Sequence, residues 1–361
     1  MSKAKKTVII IVSVLAAVIL IAAGVLTSLF INEARTLLTI NVQEEEGIYG
    51  VNYTADYKLD ELLASGGAST EDELVQYIIK TMLKGLPIKV DYEVPSLACS
   101  TFIAKTPENG YIFGRNLDNQ NTDLAVVNCS PEDGYNSVSV VNLSFLGYND
   151  ELKPIRITDK INMLALPYFP LDGVNEKGLA VGVLQLQAPA TDQDNGGTDV
   201  DTTLAIRALL DKCATVEEAV EMLRSFDMHA SANGCYHLHI ADAQGNSAVV
   251  SYVEDEMVVT EKSNEFQAAT NFYLHEVPFE YEEQGMDRYE KLIRTLRSNK
   301  GVLTAEQGMD LLDYVSIIST EPDSEGRVYS TQWSSIYDLK NPSLMLCCDR
   351  DYTKAYTYEV K

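Results

Sequence analysis

The chain opens with a long uncharged apolar stretch and then changes to short segments in which apolar and polar residues alternate. Residues 8–31 carry no charge, and a helix of that length, at about 1.5 Å per residue, exceeds the roughly 30 Å core of a bilayer. Three lysines within residues 1–7 predict a cytoplasmic N-terminus by the positive-inside rule. We therefore predict a single-pass signal anchor at the cell membrane, with the remainder extracellular. The alternative is a cleaved signal peptide, whose apolar core usually spans about 7–15 residues.

Period-two and helical patterns divide the rest of the chain. Alternation predicts strands at 37–42, 49–57, 99–105, 111–114, 137–146, 179–186, 236–241, 247–253, 257–260, 343–348 and 355–360. Helical spacing predicts helices at 203–213, 215–226, 286–298 and 304–315, and a further one after Thr70, which forms a capping box with Glu73. Clustered strands and consecutive helices are typical of α+β layers rather than regular βαβ winding.

Composition narrows the class of protein. The formal net charge of −25 excludes nucleic-acid binding, which requires clustered Lys and Arg. The six cysteines show no zinc-site spacing and are too sparse for a disulfide scaffold, so no pairing is assigned. Residues 32–98 are expected to be a structured prosegment too small for a robust core of its own, and residues 99–361 form the main domain.

Cys99 is the candidate with the most chemistry around it. It begins a predicted strand, and the turn at 106–110 would return a second strand that carries Arg115 and Asp118. A nearby cation favours the thiolate form of a cysteine, and a carboxylate can orient an amine. The alternative is a buried structural cysteine beside a surface ion pair.

Six stretches, in order, resemble the choloylglycine hydrolase family of N-terminal-nucleophile (Ntn) amidases. They are Cys-Ser-Thr-Phe at 99–102 with Gly-Arg-Asn-Leu-Asp at 114–118, Asp-Gly-Val-Asn-Glu-Lys-Gly-Leu at 172–179, His-Leu-His-Ile-Ala-Asp at 237–242, Ala-Thr-Asn-Phe at 269–272 and Asp-Arg-Tyr at 287–289. This family of linear amide C–N hydrolases includes bile salt hydrolases and penicillin V acylases, with acid ceramidase and N-acylethanolamine amidase as relatives. The resemblance implies an αββα sandwich of two stacked antiparallel sheets covered by helices.

The resemblance also implies roles for five residues. Cys99 would be the nucleophile and its freed α-amine the general base, because an α-amine has a pKa of about 7.7–8.0. Asp118 would orient the amine, and Arg115 would stabilise the thiolate and bound substrate. Asn271 would donate its side-chain amide to the oxyanion, and Arg288 would give electrostatic support.

The same resemblance implies roles for three further residues, Gln185, Asn175 and Ala98. Gln185 stands where bile salt hydrolases have asparagine, and Gln185 and Asn175 are expected in oxyanion or substrate binding. The long N-terminal piece resembles the layout of acid ceramidase. That layout implies self-cleavage between Ala98 and Cys99, which would leave Cys99 as a free N-terminus.

The predicted function is hydrolysis of a linear amide bond through a Cys99 thioester. N-acyl amides, conjugated bile salts and penicillins are the candidate small-molecule substrates, and no cofactor is expected. An acyltransferase would share the same acyl-enzyme, and an inactive surface-anchored binding protein would share the fold. The partners are the substrate and, through the N-terminal helix, the membrane; the sequence is also compatible with an oligomer.

The sequence gives less support to three other kinds of site: a papain-like protease, a histidine metal site and a calcium loop. A papain-like protease lacks the local signature around its cysteine. His237 and His239 share one face of a strand, but a His-x-His pair without a third ligand more often packs or hydrogen-bonds. Asp192, Asp194 and Gly196 resemble a calcium loop without its closing glutamate, which favours a solvated loop. No metal is expected.

Overall fold

The structure is a computed structural model that describes residues 30–43, 47–85, 98–120, 122–148, 153–156, 159–318 and 328–361, with a few isolated positions before residue 30. The predicted membrane anchor at 8–31 therefore lies almost entirely outside the described residues. Among the residues that are described, no helix is both long and apolar enough to cross a bilayer.

Seventeen strands are described, in chain order. They are β1 (Asn41–Gln43), β2 (Ile48–Tyr53), β3 (Ala98–Lys105), β4 (Tyr111–Asn119), β5 (Leu124–Cys129), β6 (Ser137–Asn142), β7 (Asp172–Asn175), β8 (Ala180–Leu186), β9 (Thr198–Asp201), β10 (Phe226–His229), β11 (Cys235–Ala241), β12 (Ser247–Val253), β13 (Glu256–Glu261), β14 (Gln267–Ala269), β15 (Ser330–Asp338), β16 (Ser343–Cys348) and β17 (Tyr356–Glu359). Most predicted strands are confirmed with shifted ends, whereas β5, β7, β9, β10, β14 and β15 were not predicted as strands.

Most of the described α-helices were predicted from the sequence, whereas those at residues 30–39 and Leu59–Ala64 were not. The described α-helices are α1 (residues 30–39), α2 (Leu59–Ala64), α3 (Glu71–Thr81), α4 (Thr202–Lys212), α5 (Val216–Arg224), α6 (Met286–Ser298) and α7 (Ala305–Tyr314). Three of the N-caps are threonines, since Thr70, Thr215 and Thr304 accept the backbone N–H groups of Glu73, Glu218 and Gln307. Each cap satisfies a donor that the first helical turn would otherwise leave unpaired.

The predicted strand at 37–42 is wrong over most of its length. Residues 30–39 are helical, and strand β1 begins only at Asn41. Leu37 and Ile40 are buried, whereas Leu38 is 78% exposed. Burial at a spacing of three residues is typical of a helix face, not of a strand.

The strands form two large sheets and a small ribbon. The larger sheet has the order β1-β2-β5-β6-β7-β8-β11-β12-β13, and the smaller has the order β14-β3-β4-β15-β16-β17. Strand β2 pairs with β5 in parallel, and β9 pairs with β10 in parallel as a separate ribbon. The predicted hairpin of β3 and β4 is confirmed, with Cys99 opposite Leu117 and Thr101 opposite Arg115.

The sheets stack between two layers of helices. Helices α6 and α7 pack on the smaller sheet, against β3, β14, β4 and β15. Helices α4 and α5 pack on the larger sheet, against β7, β8, β11 and β12, while β3 packs against β8 between the two sheets. This is the α+β sandwich that the sequence resemblance implies.

Residues 47–85 share the core of the main domain. Strand β2 extends the larger sheet through its parallel pairing with β5. The hydroxyl of Tyr53 donates to the Leu164 carbonyl at 2.6 Å, and the hydroxyl of Tyr57 donates to Asp211 Oδ2 at 2.6 Å. Buried apolar residues of this region belong to the same cluster as those of the larger sheet. The N-terminal region is therefore held by a sheet ladder, by apolar burial and by buried hydrogen bonds.

Candidate active site

Strand alternation decides which way Cys99 faces. Cys99 and Ile103 belong to the core between the two sheets, whereas Phe102 and Ala104 belong to the core beneath helices α6 and α7. Successive side chains of a strand point to opposite faces, so this division follows directly from the sequence. Cys99 is fully buried in the uncleaved chain.

Arg115 joins the two sheets beside Cys99. Its Nη2 lies 3.8 Å from Cys99 Sγ, and its Nε lies 2.7 Å from Asp172 Oδ2. Its Nη1 donates to the carbonyl of Val183 in β8. A Cβ added at Gly182 would lie 3.1 Å from Nη1, so the glycine leaves the room that the guanidinium occupies.

Asp172 fixes Arg115 and was not among the predicted site residues. One carboxylate oxygen, Oδ2, accepts from Trp333 Nε1 at 3.3 Å, and the other, Oδ1, accepts from the hydroxyl of Tyr337. Burial raises the pKa of Asp172, and Arg115 opposes that rise. An acidic residue directly after the apolar Leu171 is the signal in the sequence that could have singled it out.

Asn271 and Arg288 bind the backbone of Cys99. The Cys99 N–H donates to Asn271 Oδ1 at 2.8 Å, and Arg288 Nη1 donates to the Cys99 carbonyl at 2.5 Å. Arg288 also donates to Ser100 Oγ at 2.8 Å and, through Nη2, to Asn271 Oδ1 at 2.9 Å. Asn271 Nδ2 donates to the carbonyl of Gln185 at 2.8 Å. Gln185 is thus linked to the cluster by its backbone.

Asp118 lies on the helix-facing side of the same hairpin. It is opposite Ala98 in the β3–β4 ladder. Its Oδ1 accepts from Thr331 Oγ1, and its Oδ2 lies 3.6 Å from Arg288 Nη1. Oδ2 is buried and has no hydrogen-bond partner in the described part of the chain. Burial raises the pKa of Asp118 to about 6, against the opposing effects of Arg288, Thr331 and Arg115.

Electrostatics around the thiol are dominated by burial. Burial raises the pKa of Cys99 to about 11; Arg115 and Arg288 lower it and Asp118 raises it. Both arginines act in the direction that the sequence predicts, but desolvation of the thiolate is the larger effect. In the uncleaved chain Cys99 is therefore a neutral thiol at pH 7.

The side-chain hydrogen bonds of Asn175 go to its own turn and to the end of helix α4. Its Nδ2 donates to the carbonyls of Leu210 and Cys213 at 2.9 and 2.7 Å, near the end of helix α4. Its Oδ1 accepts the N–H groups of Lys177 and Leu179 within its own turn. Both amide hydrogens and both oxygen lone pairs are used. In this structure the Asn175 side chain joins its own turn to the end of helix α4, and its role in oxyanion or substrate binding stays a prediction.

His237 and His239 link strand β11 to the smaller sheet. His237 Nε2 lies 2.7 Å from the Thr270 carbonyl. His239 Nδ1 lies 2.7 Å from Thr101 Oγ1, and its Nε2 lies 2.8 Å from Ser247 Oγ. Burial lowers the pKa of His237 to about 4 and that of His239 to about 3, so both are neutral. Thr270 directly precedes Asn271, so His237 helps to set the position of that amide.

Two stacked sheets between helices, with a cysteine near the start of a strand and two arginines around it, define the class of Ntn-hydrolase folds. The family model for acyl-coenzyme A:6-aminopenicillanic acid acyl-transferase matches residues 170–352, about half of the chain. The chain belongs to this family. The resemblance to choloylglycine hydrolases is thereby confirmed at the level of family.

Individual relatives agree with this assignment. A penicillin V acylase from Pectobacterium atrosepticum is 32% identical over 111 residues, which cover 28% of this chain and 29% of that protein. The alignment therefore spans less than a third of that relative. Two crystal structures of conjugated bile acid hydrolase variants from Clostridium perfringens have TM-scores of 0.53 and 0.51, with 15% and 16% identity. Each alignment covers 72% of this chain and 92% of the other chain, and shows the shared fold.

Proposed function

We propose that this protein is an amidase that cleaves linear C–N amide bonds through a thioester on Cys99. The observation that carries the proposal is the convergence of polar groups on one residue. Arg115 contacts the sulfur of Cys99, Asn271 binds its N–H, and Arg288 binds its carbonyl. A purely structural buried cysteine does not require such groups at all three positions.

Activation would begin with cleavage of the Ala98–Cys99 bond. The Cys99 sulfur attacks the Ala98 carbonyl carbon, a C–S bond forms, the C–N bond breaks, and the nitrogen leaves as the α-amine after taking up a proton. Water then hydrolyses this thioester, which gives a carboxylate on Ala98 and restores the thiol. Asn271 Oδ1, 2.8 Å from the Cys99 nitrogen, already holds the leaving group. Positioning of this kind lowers the entropic cost of the reaction.

After cleavage, the same groups would act on substrate. The freed amine of Cys99 takes the thiol proton, because its ordinary pKa of about 8 lies near neutrality. Asp118, whose Oδ2 is buried without a hydrogen-bond partner in the described chain, supplies the negative charge that orients an ammonium group. Arg115 stabilises the thiolate once solvent and the new amine reduce the desolvation that dominates in the uncleaved chain.

The N-terminal fragment would remain bound after cleavage. The β2–β5 ladder and the buried hydroxyl contacts of Tyr53 and Tyr57 do not pass through the scissile bond. If residues 8–31 are the membrane anchor, these contacts are what keeps the catalytic fragment at the extracellular face of the membrane. Cleavage and anchoring are thus compatible.

The first experiment determines the N-terminus and the activity of the same preparation. We expect a fragment that begins with Cys99, and hydrolysis of at least one member of a panel of N-acyl amino acids, conjugated bile salts and penicillin V. The panel includes the substrates after which the similar proteins, penicillin V acylase and conjugated bile acid hydrolase, are named. Cys99→Ala is expected to abolish both cleavage and hydrolysis.

The controls separate the two parts of the proposal. An intact chain that nonetheless hydrolyses amides would overturn self-cleavage but leave the amidase. A correctly cleaved chain inactive on the whole panel would favour the inactive binding protein. Cys99→Ser tests the nucleophile, because unchanged turnover would require a different one.

Acyl transfer is a second candidate, favoured by the acyl-transferase model that matches residues 170–352. It would use the same thioester, with an amine in place of water as the acceptor. Adding 6-aminopenicillanic acid during hydrolysis of an active substrate measures this partition. A new amide product formed at the expense of free acid would support the transferase.

A further inference from the structure

A group of carboxylates surrounds His229 on the β9–β10 ribbon, which is separate from the strands that carry the Cys99 cluster. Asp227 of β10 lies directly opposite Asp199 of β9, and His229 follows two residues later. Positions i and i+2 of a strand share one face. One ligand atom from each of these three residues lies within 4.8 Å of the other two.

Asp227 distinguishes this group from a solvated acidic patch. Its side chain is only 4% exposed. Its Oδ2 accepts the N–H groups of Asn195 and Gly196 at 3.0 and 3.1 Å. Its Oδ1 is buried and has no hydrogen-bond partner among the residues that the structure describes. A buried carboxylate oxygen without a partner is costly, and a coordinated cation would remove that cost.

The imidazole of His229 is already oriented for coordination. Its Nδ1 lies 2.7 Å from Asp192 Oδ1, and its Nε2 lies 3.3 Å from Asp199 Oδ1. Metal-bound histidines usually donate their other ring N–H to a carboxylate, which fixes the tautomer and the ring orientation. With the Nδ1 proton donated to Asp192, the lone pair of Nε2 faces the carboxylate of Asp199.

We propose that Asp199, Asp227 and His229 bind one divalent transition-metal ion, for which Zn²⁺ is the best chemical match. Imidazole and carboxylate ligands suit zinc, whereas Ca²⁺ takes six to eight oxygen ligands. Three protein ligands leave a fourth position for water. Asp192 acts as a positioning residue through His229. The loop that the sequence presents as solvated would thus contribute to a metal site.

The place of the site in the fold suggests what the metal does. The backbone N–H of Asp199 donates to the Gly66 carbonyl at 3.0 Å, and the Asp199 carbonyl accepts from the Ala68 N–H at 2.9 Å. Gly66 and Ala68 lie between helices α2 and α3. A metal on Asp199 would therefore stabilise the junction between the N-terminal region and the main domain, and is not required for chemistry at Cys99.

Zinc titration of the full-length Cys99→Ala protein, stripped with a chelator, tests the site. The Cys99→Ala background removes the proposed reactive thiol as a competing ligand. We expect one Zn²⁺ per chain by calorimetry, at micromolar or tighter affinity, and a rise in melting temperature on saturation. Asp227→Asn and His229→Gln should each weaken binding at least about tenfold, and Asp192→Asn should weaken it by about 10–100-fold.

Asp194→Asn is the matched control, because Asp194 is an exposed carboxylate in the same loop. It should leave the zinc affinity unchanged. The melting temperature without zinc shows which variants are folded, and His229→Gln carries the test if Asp227→Asn is not. A folded parent that binds no zinc would overturn the proposal. Equal losses in Asp194→Asn and Asp227→Asn would do the same, as would stabilisation by millimolar Ca²⁺ but not by Zn²⁺.

Discussion

Two buried clusters of this protein contain the same four residue types and differ in what surrounds the cysteine. In one, Cys99 lies beside Arg115, whose partner Asp172 also accepts from Tyr337. In the other, Arg207 Nη2 lies 2.5 Å from Asp211 Oδ1, and Asp211 also accepts from a tyrosine, Tyr57. The second cysteine is Cys129, and the positive charge of Arg207 acts to lower the pKa of its thiol.

The second cluster lacks the groups that would make its cysteine reactive. Burial raises the pKa of Cys129 to about 12, with Arg207 alone lowering it. Arg207 contacts Asp211 and Ser137 through the single nitrogen Nη2. Arg115 contacts a different partner with each of its three nitrogens: Asp172, the Val183 carbonyl and the Cys99 sulfur. A nearby arginine–aspartate pair is therefore not what sets the proposed nucleophile Cys99 apart from Cys129. The second arginine and the contacts to its backbone distinguish Cys99.

Replacing each cysteine with alanine should give the largest difference in amidase activity between the two clusters. Cys99→Ala is expected to lower kcat/KM for amide hydrolysis by at least about 10⁴-fold, because the nucleophile is lost. Cys129→Ala should leave kcat/KM within about threefold and lower the free energy of unfolding by about 1 kcal/mol. Steady-state kinetics and urea denaturation measure both. Comparable loss of activity in the two variants would show that the clusters are not different in kind.

Removing each arginine should separate stability from activity. Arg115→Met and Arg207→Met each leave a buried aspartate unpaired, which typically costs about 3–5 kcal/mol of unfolding free energy. Only Arg115→Met should also reduce turnover per folded molecule, by about 100-fold if it stabilises charge in the transition state. Activity normalised to the folded fraction decides this. An Arg207→Met protein that folds but is equally inactive would contradict the comparison.

The pH dependence of the unfolding free energy should contain a measurable contribution from Asp118 in the uncleaved chain. Its folded pKa of about 6 lies above the ordinary value of 3.8, so folding favours the protonated form. The resulting stabilisation is fully present below about pH 4 and is lost as the pH rises through about 6. It is on the order of 3 kcal/mol. Urea denaturation of Cys99→Ala across this range measures it.

Adding Asp118→Asn to the Cys99→Ala protein should reduce the change in unfolding free energy between about pH 4 and pH 6. Asp201, whose pKa burial raises to about 7, is present in both proteins. The difference between the two curves therefore isolates Asp118. A double variant with the same pH dependence as its parent would assign the effect to other groups.

The smallest expected effect comes from the two tyrosines. Tyr57→Phe and Tyr337→Phe each remove one hydroxyl donor to a buried carboxylate, which should cost about 1–3 kcal/mol of unfolding free energy. Tyr337→Phe should also lower kcat severalfold, because Asp172 positions Arg115. Tyr57→Phe should leave kcat unchanged in the folded protein. Equal kcat values for the two variants would show that Asp172 does not act through Arg115.

The β3–β4 half of the site could be predicted from the sequence because it is local. A turn between two alternating segments brings Arg115 toward Cys99, and the ladder confirms this by placing Arg115 opposite Thr101. The helix that carries Arg288 was also predicted with the correct bounds, Met286–Ser298. Short-range periodicity was sufficient for each of these elements.

Strand β15 was missed because it is central to its sheet and rich in polar residues. Its sequence, Ser-Thr-Gln-Trp-Ser-Ser-Ile-Tyr-Asp, lacks the apolar alternation of a half-buried strand. Its polar side chains are satisfied within the core instead, since Thr331 donates to Asp118 and Trp333 to Asp172. Such pairings join residues more than 150 positions apart. A single sequence does not show which distant polar groups will meet.

Asn271 and Asp118 each bring a side-chain acceptor to the backbone at the proposed cut, because Asn271 binds the Cys99 N–H and Asp118 lies opposite Ala98. In the uncleaved chain the Cys99 nitrogen carries one hydrogen, which Asn271 Oδ1 accepts. The buried Oδ2 of Asp118 makes no hydrogen bond in the described chain and lies 3.6 Å from Arg288 Nη1. A protonated amine at Cys99 would offer three hydrogens in place of one. The uncleaved chain is thus one hydrogen bond short at Asp118, and the proposed cut would create the amine that Asp118 is expected to orient. If the chain is cleaved as proposed, satisfying this acceptor would contribute part of the free energy of maturation.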